Sequence, residues 1–344
     1  MFGTVRFVLA LLVVATHVGV WIWPGMYAVF GFYVISGYLM CLVLNRRYGF
    51  SVAGFRAYCA NRILRIYPPY WVALLLSFVV LAAIGQTAVT EFWPPWELPN
   101  SWRAWLDNLV LVTLPPGNAG ETLVVSPAWA LRVELFYYVV LGLGLGRNRD
   151  IAVLWFLAAV GYHVYLADTN WDGWRERYYS IPAAALPFSL GALIYHSNGL
   201  IPEWVRRSRS LPAAILLLWV ANLVTAPGSF GSVLGAGRFY LNLVLVAAFV
   251  ALMSLRRTSD SRWRGLDARL GDLSYPIYLI HMQAGFALMT LGIVPQFEGA
   301  EALRVLVALP AILLLAWALL RFVDDPVERL RDRVKLRFEA ARSR

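Results

Sequence analysis

The chain has 344 residues, 60% of them hydrophobic and only 15% charged, and its mean hydropathy is +0.62; an average soluble domain is roughly 25% charged. That balance excludes a soluble globule and predicts an all-α, polytopic protein, with one membrane-embedded domain over residues 1–326 and a basic tail over 327–344. The net charge of +10 is almost wholly arginine, with Lys335 the one lysine; the arginines fall in short loops between apolar runs, which argues for topology signals and lipid-bilayer contact rather than nucleic acid.

Ten apolar segments approach the roughly 20 residues that span a bilayer: 5–23, 27–45, 67–86, 126–146, 151–167, 181–196, 211–226, 238–255, 271–291 and 303–323. An even number puts both termini on one side. Loops on that side, from Arg46 and Arg47 to the tail from Arg329, hold most of the arginines, against Arg103, Arg175 and Arg177 in the opposite loops. The positive-inside rule therefore predicts cytoplasmic termini. The first segment resembles a signal-peptide core, but no small-residue cleavage site follows it, so it is read as a retained helix. No internal repeat is visible, which argues against transporters built from inverted repeats. Cys41 and Cys59 lack a metal-ligand spacing, so they predict reduced, structural thiols and neither a disulfide framework nor a bound metal.

The first span carries Arg6 and His17, about 16 Å apart along a helix axis. An ionisable group inside hydrocarbon is costly and reads by default as functional. Ser36 and Gly37 in the second span line a path through the bundle or let two helices approach closely. Residues 46–66 mix arginines with Phe50, Phe55, Tyr58 and Ile63, which suits an amphipathic helix lying on the membrane face. Within it, Arg62 and Arg65 stand at i and i+3, presenting two guanidinium groups on one face to a phosphate or to lipid headgroups. The segment 87–125 holds Trp93, Pro94, Pro95, Trp96, Trp102 and Trp105, an interfacial cover that is either a lid or an anchor. Residues 107–114 dip into the membrane but are too short to cross it.

In the fourth span Glu134 lies about 10 Å below the outer boundary, as does His17, so the two are candidates for acid–base chemistry; a buried structural pair is the alternative. Arg132, two residues away, either tunes Glu134 or meets an acidic acceptor. His281 sits mid-span in the ninth segment, as a site-lining group or a packing hydrogen bond between helices. His163 and His196 fall near span ends and read as interfacial. The tail from Asp324 is predicted to be helical.

These residues carry a family resemblance. Arg6, ten intervening residues and His17 resemble the signature of the acyltransferase-3 family of integral-membrane acyltransferases. Phe32-Tyr33-Val34-Ile35-Ser36-Gly37-Tyr38 is similar to its Phe-Phe-Val-Ile-Ser-Gly-Phe stretch, with tyrosines at two phenylalanine positions. Arg62 to Tyr70, Trp129-x-Leu131-x-x-Glu134 followed by Tyr137, Ser274 to His281, and Asp325-Pro326 resemble its later elements in order. Arg132 is a departure inside the Trp-to-Glu motif.

The resemblance implies an acyl-CoA donor, usually acetyl-CoA, used as substrate with no bound cofactor. The acceptor is implied to be a hydroxyl of a glycan, such as an exported or cell-surface polysaccharide or O-antigen, at a bacterial plasma (inner) membrane. Transfer is implied to reach the final acceptor without a fused esterase-like domain. His17 and Glu134 are then the catalytic pair, with His17 as base or as the site of an acyl-histidine. Arg6, Arg62 and Arg65 bind acyl-CoA; Ser36, Gly37, Tyr70, Trp129, Tyr275 and His281 line the site. Two other classes compete. A proton-coupled transporter or lipid-linked sugar flippase would use His17 and Glu134 as a proton relay. A non-enzymatic membrane scaffold or receptor would need neither residue.

Overall fold

The computed structural model describes residues 2–19, 22–92, 96, 98–111, 123–169, 174–225, 233–256 and 261–342. Regular structure among them is helical: α1 (Gly3–Val18), α2 (Ile22–Val43), α3 (Val52–Ile84), α4 (Gln86–Phe92), α5 (Trp102–Val110), α6 (Trp129–Val140), α7 (Arg149–Thr169), α8 (Trp174–Tyr179), α9 (Ile181–Ser197), α10 (Glu203–Arg207), α11 (Leu211–Val224), α12 (Val233–Ser254), α13 (Ser261–Thr290), α14 (Glu301–Leu319) and α15 (Asp325–Arg342). Each of the ten predicted spans overlaps a helix, the first running past the end of α1. Among the described residues, six stretches are long and apolar enough to cross a membrane: Pro24–Tyr48, Val52–Ile84, Ser126–Leu145, Arg149–Thr169, Leu234–Ser254 and Glu301–Ala340. The helices α1 and α11 are apolar but shorter. The protein is therefore an integral membrane protein.

Residues 52–66 do not form a separate helix lying on the membrane. They are the first half of α3, which continues through Pro68 and Pro69. Its 33 residues extend about 50 Å, well beyond a hydrocarbon core about 30 Å thick. Ser51 caps its start, accepting a hydrogen bond from Gly54 N, which sets the helix origin among the arginines.

The chain divides into two compact units. The first comprises Met1–Leu9, Met26–Phe50 and Phe136–Gly271. In it, α2 and α9 meet through glycines: a Cβ on Gly37 would lie 2.3 Å from Phe188 O, and one on Gly191 would lie 2.3 Å from Val34 O. Gly37 thus permits backbone contact, and Tyr33 and Tyr137 stack on Phe188 beside it, with ring centroids at 4.9 and 4.5 Å. The start of α1 is held from a distance. Asp267 accepts hydrogen bonds from Gly3 N, Thr4 N and the Thr4 hydroxyl at 3.2, 2.9 and 3.0 Å, satisfying amides that a helix N-terminus leaves unpaired.

His163 is buried within the protein. It is 5% exposed, with Nε2–H donating to Ala183 O at 2.9 Å and Nδ1 accepting from the Tyr240 hydroxyl at 2.9 Å. It ties α7 to α9 and α12, because both ring nitrogens find partners that burial would otherwise deny them. His196 is half-buried, its Nε2–H donating to Gly146 O at 3.0 Å.

The second unit comprises Ala10–Gly25, Ser51–Leu135 and Asp272–Arg344. Here α15 packs along α3, so the tail helix is docked. The nine residues of α5 are too few to cross, as expected, and their last carbonyls have no helical partner. Three consecutive side-chain donors of α3 meet them: the Tyr67 hydroxyl to Val110 O, the Tyr70 hydroxyl to Asn108 O and Trp71 Nε1 to Leu109 O. Trp102 and Trp105 are exposed, but Trp96 is buried and tilted on Phe286 at 5.3 Å. It is a core ring of α13's surroundings, because burying so large an apolar surface outweighs an interfacial position. Trp93, Pro94, Pro95 and the stretch 112–122 lie outside the described residues.

Because a side chain at Gly191 would meet backbone, Gly191→Val is expected to cost at least the about 1–3 kcal/mol of ordinary overpacking, read as a fall in Tm or loss of monodisperse protein in detergent. Gly161→Ala, with nothing within 4 Å of its Cβ, is expected to hold or raise Tm.

Candidate active site

The site is built on one face of α13. Tyr275, Tyr278 and His281 recur every third residue, so their side chains stand in a row. Each reaches a different element of the second unit. The Tyr275 hydroxyl donates to Ile66 O of α3 at 2.7 Å. The Tyr278 hydroxyl donates to Pro127 O, in the 3-10 turn Ser126–Ala128 that starts α6. His281 meets His17 of α1, Nε2 to Nδ1, at 2.9 Å, with ring centroids 5.0 Å apart and planes tilted by 36°.

The surrounding carbonyls fix the tautomers of this pair. His281 Nδ1 lies 3.2 Å from Ile277 O and 2.9 Å from Tyr278 O. Both are acceptors only, so Nδ1 carries the hydrogen and, in the neutral ring, Nε2 carries a lone pair. His17 Nδ1 must then be the donor to His281, with Val13 O as a second acceptor at 3.1 Å. The remaining nitrogen of His17, Nε2, is the basic one. His281 is fully buried while His17 is half-buried. The pair therefore has a fixed inner member and an outer member whose basic nitrogen is set by the inner one.

Glu134 is half-buried midway along α6, within electrostatic reach of Tyr275 and Tyr278. It accordingly belongs to the surroundings of the α13 row. Arg132 is buried and its charge is felt at Tyr70. Two residues apart on a helix, the two side chains leave about 200° apart. Trp129 begins α6 and is half-buried. Tyr70 is fully buried and holds the Asn108 carbonyl.

At the other end of the α13 row, Arg65 places its guanidinium 5.7 Å from the Tyr275 ring centroid and 3.5 Å from Asp324. Arg62 donates to Asn61 Oδ1 at 2.7 Å. The acidic residue that matters here is Asp324, buried against Arg65. Its neighbour Asp325, which the sequence motif singles out, pairs with Arg321 at 3.1 Å on the surface. A continuing helix turns adjacent residues about 100° apart, and only one of the two acids can face α3.

In the first unit, Arg6 packs against Gly271, where a Cβ would lie 2.6 Å from its Nη2. Ser36 is half-buried on α2 beside Gly37. Along α1 itself, Arg6 and His17 are separated by about 16 Å.

Sequence reasoning named both histidines but paired neither with the other, and it missed Tyr278, Asn61 and Asp324. The signal for Tyr278 was present: it continues the three-residue spacing between Tyr275 and His281. A family model described as an acyltransferase domain matches residues 3–321. No curated protein and no solved structure matches the chain.

Asp324→Ala is expected to lower Tm by severalfold more than Asp325→Ala. Breaking a buried ion pair strands its partner at about 3–5 kcal/mol, whereas an exposed pair contributes about 0–1 kcal/mol.

Proposed function

This chain belongs to the acyltransferase-3 family, and from that premise we propose that it moves an acyl group, acetyl in the first instance, from cytoplasmic acyl-CoA to a hydroxyl of an extracytoplasmic glycan. A cell-surface or exported polysaccharide at a bacterial plasma membrane is the acceptor proposed, with ten spans and both termini cytoplasmic. The observation that carries the reading is the His17–His281 contact of 2.9 Å, because it supports a ring nitrogen of defined basicity in a membrane helix.

His17 Nε2 takes the proton of the acceptor hydroxyl as its oxygen attacks the thioester carbon. The carbon–sulfur bond then breaks, and the departing thiolate takes the proton back from the imidazolium. An acyl-histidine route would use the same nitrogen as nucleophile. His281 is a positioning residue: it accepts from His17 Nδ1–H and stabilises the imidazolium formed in the step, as a carboxylate does in a hydrolytic triad. Glu134 orients the acceptor or relays its proton. Arg62 and Arg65 hold donor phosphates, with Arg65 oriented by Asp324 and Tyr275. Arg6 meets the donor rather than the reacting atoms, which its distance from His17 along α1 supports. Trp129 and Tyr275 line the route.

With purified protein, acyl-CoA and a glycan acceptor, His17→Ala is expected to lower kcat by about 10²–10⁴-fold, the usual worth of a positioned base. His281→Ala is expected to lower kcat with KM unchanged, and His281→Gln, which keeps an acceptor atom, to recover part of the loss. Full turnover by His17→Ala would remove the base assignment. A histidine pair also suits a proton-coupled transporter, which predicts pH-driven flux with no dependence on CoA.

Mass spectra of surface polysaccharide from cells with and without the gene are expected to differ by an acetyl-sized increment. A succinyl-sized one would change the acyl group but not the reaction.

A further inference from the structure

The family match ends at residue 321, yet α15, which begins at Asp325, delivers an arginine into the cluster around Arg62 and Arg65. Arg331 is only 8% exposed, unusual for an arginine unless it is partnered. Its Nη2 lies 3.4 Å from Asn61 Oδ1, the atom that also accepts from Arg62 Nη2 at 2.7 Å. One neutral amide oxygen thus draws two guanidinium groups together, and the charges of Arg62 and Arg65 are both felt at Arg331. Like charges gathered in a buried place repel unless an anion joins them.

Acids already stand among these cations. Asp324 faces Arg65 at 3.5 Å, with Asp272 within electrostatic reach of it. Glu328 pairs with Arg331 Nη1 and with Lys335, the latter at 3.0 Å, and Asp332 meets Lys335 at 2.6 Å near solvent. Among the described residues, Arg331 Nε and Asn61 Nδ2 are buried donors without a protein acceptor, the latter on a side chain with no exposed surface. A buried donor left unpaired is costly, and an arginine fork with a free Nε edge is shaped for the oxygens of a phosphate.

We infer that Arg331 and Asn61, with Arg62 and Arg65, form one phosphate-binding site in which the C-terminal helix supplies the third guanidinium. The ligand class is a phosphorylated nucleotide, of the kind an acyl-CoA donor carries; this rests on the acyltransferase reading above. The other source of the same chemistry is a phospholipid headgroup.

The test uses the full-length protein in neutral detergent. Binding of CoA, of dephospho-CoA and of a short-chain anionic phospholipid is measured by calorimetry, and turnover is followed with acyl-CoA and with acyl-pantetheine, which has no phosphate. For Arg331→Gln, CoA is expected to bind about 10- to 100-fold more weakly, the worth of a hydrogen bond to a charged group. KM for acyl-CoA should rise in step with kcat held, and turnover of acyl-pantetheine should not change. Arg331→Lys keeps the charge but removes the Nε donor, and should show a smaller loss in the same direction; it carries the test where the Gln variant does not fold. Arg337→Gln, exposed on the same helix, should match the parent protein. CoA affinity unchanged in a folded Arg331 variant would overturn the inference and leave the acyltransferase reading standing. Loss of phospholipid binding alone would overturn it in favour of a headgroup site. A parent protein that binds no CoA would overturn both.

Discussion

Polar side chains on α13 have no water to turn to within an apolar helix bundle, so each must find a protein partner or cost several kcal/mol. That constraint organises the second unit. Tyr275, Tyr278 and His281 lie on one face and satisfy themselves on α3, on the turn before α6 and on α1 respectively. Three helices and a turn are thereby fixed around one row of side chains. The candidate chemistry, at the His281 end, and the arginine cluster, at the Tyr275 end, are positioned by the same row, six residues apart, about 9 Å along the axis.

The same rule explains α5. A helix of nine residues cannot satisfy its own last carbonyls, and Tyr67, Tyr70 and Trp71 supply the missing donors from α3. Tyr70 is consequently committed to holding this short helix against α3. In the first unit steric fit acts beside polar pairing: Gly37 and Gly191 bring two backbones into contact, and tyrosine rings stack on Phe188.

The arginines of α3 show how far a sequence motif can be read. Their spacing at i and i+3 placed Arg62 and Arg65 on one helical face. It could not say that Asp324 rather than Asp325 faces Arg65, because that depends on the rotation of the turn leaving α14. Nor could it show that Arg331 arrives beside them, since that requires α15 to fold back along α3. The partners of His163 were hidden for a related reason: Tyr240 and Ala183 belong to other helices, 77 and 20 positions away.

The sequence by itself determined the class of the protein: composition excluded a soluble fold, apolar lengths located the helices, and Arg6, His17, Glu134 and the Ser274–His281 stretch marked where chemistry was to be sought. These features are local or periodic, so hydropathy and spacing along the chain reveal them. Only the tertiary structure decided that His17 is partnered by His281, which of its nitrogens is basic, and which acid and which third arginine join Arg62 and Arg65. Those are contacts between residues as many as 270 positions apart. They are settled by which helix faces meet, and that follows from packing and from the need of every buried polar atom for a partner, not from sequence separation.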